Sequence, residues 1–293
     1  MKDLYEFKTN TIWIKEYPIH YAGTRFNSRM TIIRLSNGNL FIHSPCEIDE
    51  HTKIAIEKLG KVEFIVAPGS YHYFNISSAQ SAFPKAETFI CPGIERKVPE
   101  IDFDWFLGDR PDERWGKDFE QVLVRGNKHI WEVAFYHKAT KTLILVDLIE
   151  NFTDKTEDVN WLLKLWFKVF FRMWANPKPA PEYQMGWKDK KAASRALKRI
   201  LNWDFERIII SHGDLIEKNA KVVALRAWRR PLESSDMHNR SQNVELFLSN
   251  IVSSQRRKGH LVYNRYATYT ASSTPVMTYS RSRPSCKHQT ADI

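Results

Sequence analysis

Hydrophobic residues occur in the first part of the chain as short runs that polar turn residues separate. Residues 11–14, 30–35 and 40–43 are rich in β-branched and aromatic side chains, and Asn37-Gly38 lies between the second and third runs. An Asn-Gly pair between two such runs is typical of a tight β-hairpin. The pattern therefore predicts that the chain begins with a set of paired strands.

The next segments alternate between helical and strand-like patterns. Residues 49–59 have the apolar spacing of a helix, and Gly60 is suited to end it. We also predict buried strands at residues 64–66 and 87–90, with a short helix at residues 77–83 between them.

The second half begins with a predicted β-meander and continues with helices. The meander comprises residues 120–124, 131–137 and 142–146, and it is followed by a helix at 161–175, a basic amphipathic helix at 189–201, a strand at 205–211 and a helix at 215–228. Strands and then helices in each half favour an α/β (α+β) fold, arranged as a four-layer αββα sandwich.

The composition changes after Arg230. Residues 231–293 are rich in Ser, Thr, Asn and Arg and contain one apolar cluster, at residues 244–252. So little apolar area does not offset the conformational entropy of folding. We therefore expect one domain at residues 1–230 and a mostly disordered basic tail that proteases remove rapidly.

The balance of charge leaves several classes of partner open. The formal net charge is +10 at pH 7. That charge suits nucleic acid or an anionic membrane, and it equally suits solvated Lys and Arg side chains that only aid solubility. The sequence contains no Arg-rich recognition helix and no aromatic RNA-binding motif, so nucleic-acid binding is an alternative without motif support.

Cysteine usage and the apolar segments predict a cellular location. Cys46, Cys91 and Cys286 are too few and too scattered for a disulfide framework, and the first residues lack the apolar core of a signal peptide. The longest apolar stretch, residues 161–174, is too short to span a bilayer. We therefore expect a cytoplasmic protein without a transmembrane segment.

Three of the strand-like runs each end in a side chain that can bind a metal ion. His72 follows the run at 64–66, Asp147 follows the run at 142–146, and His212 follows the run at 207–211. In layered α/β proteins the carboxyl ends of strands deliver side chains to a site. Two histidines and one carboxylate form a ligand set for a divalent metal.

A resemblance to a known family supports this interpretation. The residues that carry it are 27–33, 41–45, 67–72, 132–147 and 203–213. In these segments the chain resembles the metallo-β-lactamase-fold superfamily and is similar to a divergent branch of it, domain-of-unknown-function family 4336. The likeness spans residues 4–230 and implies a sandwich of the metallo-β-lactamase type.

Part of the superfamily's metal-binding motif is missing from this chain. The motif is His-x-His-x-Asp-His directly after a strand. When its final His is placed on His72, the other three ligand positions fall on Ala67, Gly69 and Tyr71. Of these, only the phenolate of Tyr71 could act as a ligand.

The resemblance implies that one metal position is retained. The metal-bridging Asp of the superfamily matches Asp147 and its last His matches His212, while His129 is a weak match to another ligand His. The set of His72, Asp147 and His212 could hold one Zn²⁺, Fe²⁺ or Mn²⁺ ion and activate water to attack an ester, thioester, amide or phosphodiester. Alternatively the chain has lost its metal and is a non-catalytic binding or scaffold protein.

Several other residues have two interpretations each. Cys46 is either a soft ligand or nucleophile, or a packing residue. Asp214 either orients His212 or caps a helix that begins at Leu215. Glu132 either replaces a lost ligand or is a solvated strand residue.

The aromatic segment at residues 161–174 also has more than one interpretation. Lys164, Lys168 and Arg172 recur at four-residue spacing and share one face of the predicted helix. This pattern is compatible with an interfacial membrane helix, with a lid over an apolar substrate, or with a helix packed on the sandwich.

Overall fold

A seven-stranded mixed sheet forms one half of the protein. The computed structural model describes residues 3–233. The sheet follows chain order and comprises Tyr5–Lys8 (β1), Ile12–Tyr21 (β2), Thr24–Arg34 (β3), Leu40–His43 (β4), Val62–Ala67 (β5), Glu87–Ile90 (β6) and Trp105–Phe106 (β7). Strands β1 to β4 pair antiparallel, and β4 to β7 pair parallel. The predicted hairpin at Asn37-Gly38 is confirmed, since β3 pairs with β4 through Arg34 and Leu40.

A four-stranded sheet faces the first. Its strands are Phe119–Val124 (β8), Glu132–His137 (β9), Thr142–Ile144 (β10) and Arg207–Ile209 (β11), in the order β11-β10-β9-β8. The predicted meander is confirmed by the antiparallel pairs β8–β9 and β9–β10. The last strand, β11, pairs parallel to β10.

Helices cover the outer faces of both sheets. They are Glu50–Glu57 (α1), Ile76–Ala82 (α2), Ile94–Lys97 (α3), Trp161–Leu165 (α4), Pro181–Gly186 (α5), Lys190–Asn202 (α6), Ala220–Ala227 (α7) and Arg229–Glu233 (α8), and a π-helical turn at Trp166–Phe170 continues α4. Asp49 caps α1 and Asp189 caps α6, each by accepting a hydrogen bond from a backbone N–H of the first turn.

The strands of the second sheet bury both of their faces, which explains their unbroken apolar runs. Val133 and Phe135 of β9 point into the core between the two sheets, whereas Ala134 points into the core beneath α6 and α7. Successive side chains on a strand point to opposite sides, so a strand between two cores needs apolar residues at every position. The arrangement is the expected αββα sandwich.

Two predicted helices differ from those in the structure. The helix expected at 161–175 is helical only over Trp161–Phe170, because Arg172 and Ala175 have φ values of 50° and 52° in the left-handed region. The helix expected to start at Leu215 begins instead at Ala220. Ile216 forms a β-bridge with Ile208, which holds Ile216 beside β11.

The topology places four strand ends at one edge of the sandwich. Chain segments that leave β4, β5, β10 and β11 at their carboxyl ends carry Ser44, His72, Asp147 and His212. The predicted tail at 231–293 lies outside the described residues, apart from Pro231, Leu232 and Glu233 in α8.

Candidate metal centre

His72 is held by a turn after β5 and by Ser44. The backbone N–H of His72 donates to the carbonyl oxygen of Gly69 at 2.9 Å, which closes the turn. The ring atom Nδ1 lies 2.7 Å from Oγ of Ser44, a residue that follows β4 directly. The Ser44 N–H donates to the carbonyl oxygen of Val66 in β5 at 2.9 Å. These contacts turn the other ring nitrogen, Nε2, toward Asp147.

Asp147 lies in a tight bend after β10, and Glu132 of β9 holds that bend. The Glu132 carboxylate accepts backbone N–H bonds from Val146 at 2.7 Å, and from Asp147 and Leu148 at 2.8 Å each. Burial and the charge of Asp147 raise the pKa of Glu132 to about 8, although the three N–H donors act to lower it. Glu132 is therefore neither a solvated strand residue nor a direct member of the His–Asp cluster, and both of its predicted roles are wrong.

His212 follows β11 and is held by the backbone of β3. Its Nδ1 lies 3.2 Å from the carbonyl oxygen of Asn27. A carbonyl oxygen can only accept, so Nδ1 carries the proton and donates it. Burial lowers the pKa of His212, which favours the neutral ring. The remaining nitrogen, Nε2, therefore presents its lone pair, and it lies 3.5 Å from Oδ1 of Asp147.

The three side chains converge on one point. One ligand atom from each of His72, Asp147 and His212 lies within 4.8 Å of the other two, and all three residues are buried. Nε2 of His72 is 3.3 Å from the same Oδ1 of Asp147. The other carboxylate oxygen, Oδ2, is buried and has no hydrogen-bond partner among the described residues. Their roles as metal ligands stay a prediction, but the structure brings them together as a metal site requires.

The charges in this cluster are compatible with a bound cation. Burial acts to raise the pKa of Asp147, but its interactions with His72 and His212 act more strongly and lower it. The carboxylate is therefore ionised. A buried carboxylate that faces the lone pair of His212 needs either an additional proton or a metal ion between the two groups.

The position of the superfamily's second metal is filled by packing. Ala67 is the buried last residue of β5. Gly69 forms a β-bridge with Glu132, and a β-carbon at position 69 would lie 2.9 Å from Cγ2 of Val146. A histidine side chain at position 69 has no space in this arrangement.

Tyr71 lies beside the centre but is poorly suited to be an anionic ligand. Nζ of Lys97 lies 3.7 Å from the centroid of its ring and also donates to the carbonyl oxygen of Ser70 at 3.1 Å. Burial, with the charges of Glu182 and Asp147, raises the pKa of Tyr71, so the phenol stays protonated. The same contacts place the ammonium group of Lys97 close to the centre.

The structure does not place the other accessory candidates in the cluster. His129 is exposed on the loop before β9. Cys46 is fully buried, with its Sγ 3.8 Å from Sδ of Met30, and burial raises the pKa of its thiol to about 12. A buried thiol with such a pKa is a packing residue and a poor nucleophile.

Asp214 has neither of its two predicted roles. Its Oδ2 accepts a hydrogen bond from Thr153, and its N–H donates to the carbonyl oxygen of Asn151 at 2.6 Å. Asn27 is the hydrogen-bond partner of His212 Nδ1, and the helix after it starts at Ala220. Asp214 therefore ties two loops together.

Sequence reasoning missed the residues that orient the cluster. Ser44, the carbonyl group of Asn27 and the inward-facing Glu132 hold His72, His212 and Asp147 respectively. The position of Ser44 directly after an apolar strand was a signal of the same kind as for His72. No sequence pattern reveals which backbone carbonyl approaches a histidine from a distant strand.

Comparisons with known proteins agree with the fold. Residues 9–188 match the family described as Domain of unknown function (DUF4336). A metallo-β-lactamase from Pontibacter korlensis is 12% identical with a TM-score of 0.54, and the match covers 78% of this chain and 98% of that chain. DIM-1 metallo-β-lactamase exposed to ceftazidime is 12% identical with a TM-score of 0.55, and the match covers 78% of this chain and 96% of that chain. A metallo-β-lactamase from Hirschia baltica is 10% identical with a TM-score of 0.51, and the match covers 78% of this chain and 97% of that chain. At these identities the likeness shows the fold alone. No curated protein matches the chain.

Proposed function

The chain belongs to the DUF4336 family and has the metallo-β-lactamase fold, and we propose that it is a hydrolase with a single metal ion at His72, Asp147 and His212. The observation that carries this proposal is the orientation of His212. Its Nδ1 donates to a backbone carbonyl, so its Nε2 lone pair points at the ionised Asp147. A divalent cation between these groups turns a repulsive contact into ligation.

The donor set suits Zn²⁺, Fe²⁺ or Mn²⁺. Each imidazole presents Nε2 to the centre and uses Nδ1 for an outer hydrogen bond, which is the usual arrangement around metal-binding histidines. Oδ2 of Asp147, which has no hydrogen-bond partner within residues 3–233, provides a further oxygen ligand. Two histidines and a carboxylate leave positions open for other ligands.

The chain's own residues divide the remaining work. An ion held by His72, Asp147 and His212 would supply the Lewis acidity for water to attack an ester, thioester, amide or phosphodiester. Ser44 and the carbonyl group of Asn27 fix the ring orientations of His72 and His212, and Glu132 fixes the bend that carries Asp147. Lys97 places a positive charge beside Tyr71, where it would favour an anionic group on a substrate.

Elemental analysis tests the metal directly. Protein purified without added metal or chelator should hold no more than about one equivalent of a divalent transition metal, because residues 3–233 contain a single set of converging ligands. Asp147→Ala removes the only charged ligand and should abolish binding. His129→Ala removes an exposed histidine outside the cluster and should leave the metal content unchanged, so it serves as the matched control.

Hydrolysis is tested on a panel of chromogenic esters, thioesters and phosphodiesters. Activity should disappear when a chelator removes the metal and return when a suitable divalent metal is added back. Asp147→Ala should be inactive, whereas His129→Ala should retain activity. Two equivalents of metal would show that other residues replace the lost ligands. No metal under any loading condition would overturn the proposal in favour of a scaffold protein, and salt-dependent binding to DNA or RNA in that case would favour a nucleic-acid-associated role.

A further inference from the structure

The segment from Trp161 to Phe170 exposes an unusual amount of apolar surface. Trp161 is 73% exposed and Phe170 is 69% exposed. The exposed apolar residues of this segment, which we call the aromatic face, are Trp161, Leu165, Trp166, Val169 and Phe170. Their spacing places them along one side of a helix. A contiguous patch of large, exposed apolar side chains usually marks an interaction surface.

The opposite side of the segment is anchored firmly to the protein. Leu163, Phe167 and Met173 are buried in a cluster with Phe26 and Phe152. These contacts hold the aromatic face outward, so the expectation of a helix simply packed on the sandwich is correct for only one of its sides. The alternative of a lid requires a hinge, whereas the buried residues fix this segment in place.

The N-terminal end of the segment is tied to the β2–β3 hairpin. Asn160 accepts a hydrogen bond from the N–H of Leu163 at 3.0 Å and donates from Nδ2 to the carbonyl oxygen of Gly23 at 3.1 Å. The N–H of Asn160 donates to the carbonyl oxygen of Arg25 at 3.2 Å. The aromatic face is therefore presented by a preformed element.

The segment that carries the aromatic face contains charged residues of one sign only. Residues 159–181 contain Lys164, Lys168, Arg172 and Lys178 and no Asp or Glu. Nζ of Lys164 and Nζ of Lys168 each lie 5.4 Å from the ring of Trp174. Of the neighbouring acids, Asp158 forms an ion pair with Arg25 at 3.6 Å. Asp154 accepts a hydrogen bond from the indole N–H of Trp174 at 3.1 Å, so it offsets only part of the positive charge of the segment. Aromatic and aliphatic residues bordered by Lys and Arg are the composition of helices that bind at a membrane interface.

We propose that the aromatic face docks on a lipid bilayer that contains anionic phospholipids, with Trp166 and Phe170 inserted at the headgroup boundary and Lys168 and Arg172 on the headgroups. A second copy of the chain is a poorer occupant, because it would bring the same cations together. Residues 234–293 are also a poorer occupant of the aromatic face, because they contain more Lys and Arg than Asp and Glu and therefore carry a net charge of the same sign. No helix in the described range is long and apolar enough to cross a membrane, so the contact is peripheral.

Docking in this way would bring the candidate metal centre close to the bilayer. The ring of Phe167 contacts Phe152 at 5.1 Å between centroids, Phe152 contacts Phe26 at 5.7 Å, and Phe26 contacts His212 at 5.1 Å. The membrane contact itself does not depend on the metal, so each proposal can fail without the other.

Sedimentation of the full-length chain with vesicles tests the proposal. The chain should bind vesicles of phosphatidylcholine mixed with phosphatidylserine, and bind much less to phosphatidylcholine alone, with the difference reduced by added salt. The double variant Trp166→Ser/Phe170→Ser should weaken partitioning by at least about tenfold, since it removes the two largest inserted side chains. Ile54→Ser, at an exposed apolar position of α1, should bind as the wild type does.

Two double variants with the same change in net charge distinguish attraction of the aromatic face to the vesicles from attraction of the whole positively charged protein. Lys168→Glu/Arg172→Glu should abolish the preference for phosphatidylserine, whereas Lys191→Glu/Arg195→Glu on the exposed side of α6 changes the net charge equally and should retain it. Equal loss in both pairs would overturn the proposal. Unchanged vesicle binding by Trp166→Ser/Phe170→Ser would also overturn it. If that variant instead changes the oligomeric state of the protein, the occupant of the aromatic face is a second copy of the chain. If it changes the rate of proteolysis within residues 234–293, the occupant is the tail. Because the altered side chains are exposed, all variants should keep the wild-type melting temperature.

Discussion

Ser44 is a residue whose side chain supports the centre while its backbone is strained. Its hydroxyl lies 2.7 Å from Nδ1 of His72, and its φ of 55° lies in the left-handed region that non-glycine residues rarely adopt. That conformation costs on the order of 1 kcal/mol for a residue with a β-carbon. The local strain is tolerated because the bend carries the side chain to the imidazole.

Two substitutions of Ser44 separate these effects. Ser44→Ala and Ser44→Gly both remove the hydroxyl, so each should weaken metal binding by about 10–100-fold, as loss of an outer partner of a histidine ligand typically does. Ser44→Gly should nevertheless be the more stable variant by about 1 kcal/mol, because glycine adopts a positive φ without strain. Titration with metal and urea denaturation measure the two quantities.

The result depends on comparison of the two variants. If Ser44→Gly binds metal as tightly as the wild type, the hydroxyl does not orient His72. If both variants have the same free energy of unfolding, the strain at position 44 is absent from the protein in solution.

Two N-capping residues belong to helices that pack in different hydrophobic clusters. Asp189 accepts a hydrogen bond from the N–H of Ala192 at 2.9 Å at the start of α6, and α6 buries Leu197 and Ile200 against the second sheet. Asn160 caps α4, which packs in a small separate cluster. Stability within a protein is not uniform, and elements on small clusters open locally before the whole chain unfolds.

Removal of each cap should therefore be detected by a different measurement. Asp189→Ala should lower the free energy of unfolding of the whole domain by about 1 kcal/mol, the usual cost of a lost N-cap. Asn160→Ala should leave that free energy closer to the wild type but reduce hydrogen-exchange protection across residues 161–170. Equal changes in global stability for both variants, with unchanged exchange at 161–170, would contradict this distinction.

The elements that were predictable from sequence are those whose local pattern and tertiary environment agree. The Asn37-Gly38 hairpin, the meander and α6 have strong local signals, and their packing does not override them. The segment after His212 has a helical pattern, yet Ile216 is not helical because it exchanges two backbone hydrogen bonds with Ile208. The length of the aromatic helix was also unpredictable, since no breaker residue marks the left-handed conformation of Arg172, which precedes the buried Met173.

At the scale of the whole molecule, the candidate centre lies where strand ends from both sheets meet. The sequence shows that His72, Asp147 and His212 each follow a strand, and it predicts their convergence only once the sandwich is assumed. It does not show that Asn27 approaches His212 across 185 positions of the chain. Outer hydrogen bonds between distant segments depend on the packing of the two sheets, and no local pattern encodes that packing.

The whole domain contains buried histidines that connect its stability to pH. Burial, with the charge of His72, lowers the pKa of His43 to about 3, and burial lowers the pKa of His212. An unfolded histidine titrates near 6.5, so below about pH 6.5 the unfolded chain binds more protons than the folded chain. These two groups therefore make stability fall as the pH falls. The buried carboxyls Glu132 and Glu150 have raised pKa values and act in the opposite direction, so the net slope alone does not identify a residue.

Comparison of the wild type with His43→Leu isolates the contribution of one histidine. At pH 5 the wild type should have lost about 2 kcal/mol of the stability that His43 contributes at neutral pH, because one unit of pKa shift corresponds to 1.36 kcal/mol. The variant lacks this loss, so the difference between the two free energies of unfolding should change by about that amount between pH 7 and pH 5, whatever the offset at pH 7. Metal at about 100 times its dissociation constant should add about 2.7 kcal/mol to the free energy of unfolding of both proteins at neutral pH, and less in acid, because protons compete with the metal for histidine ligands. Parallel stability curves for the two proteins would show that His43 titrates normally, and a metal increment that persists undiminished at pH 5 would show that the histidines are not the ligands.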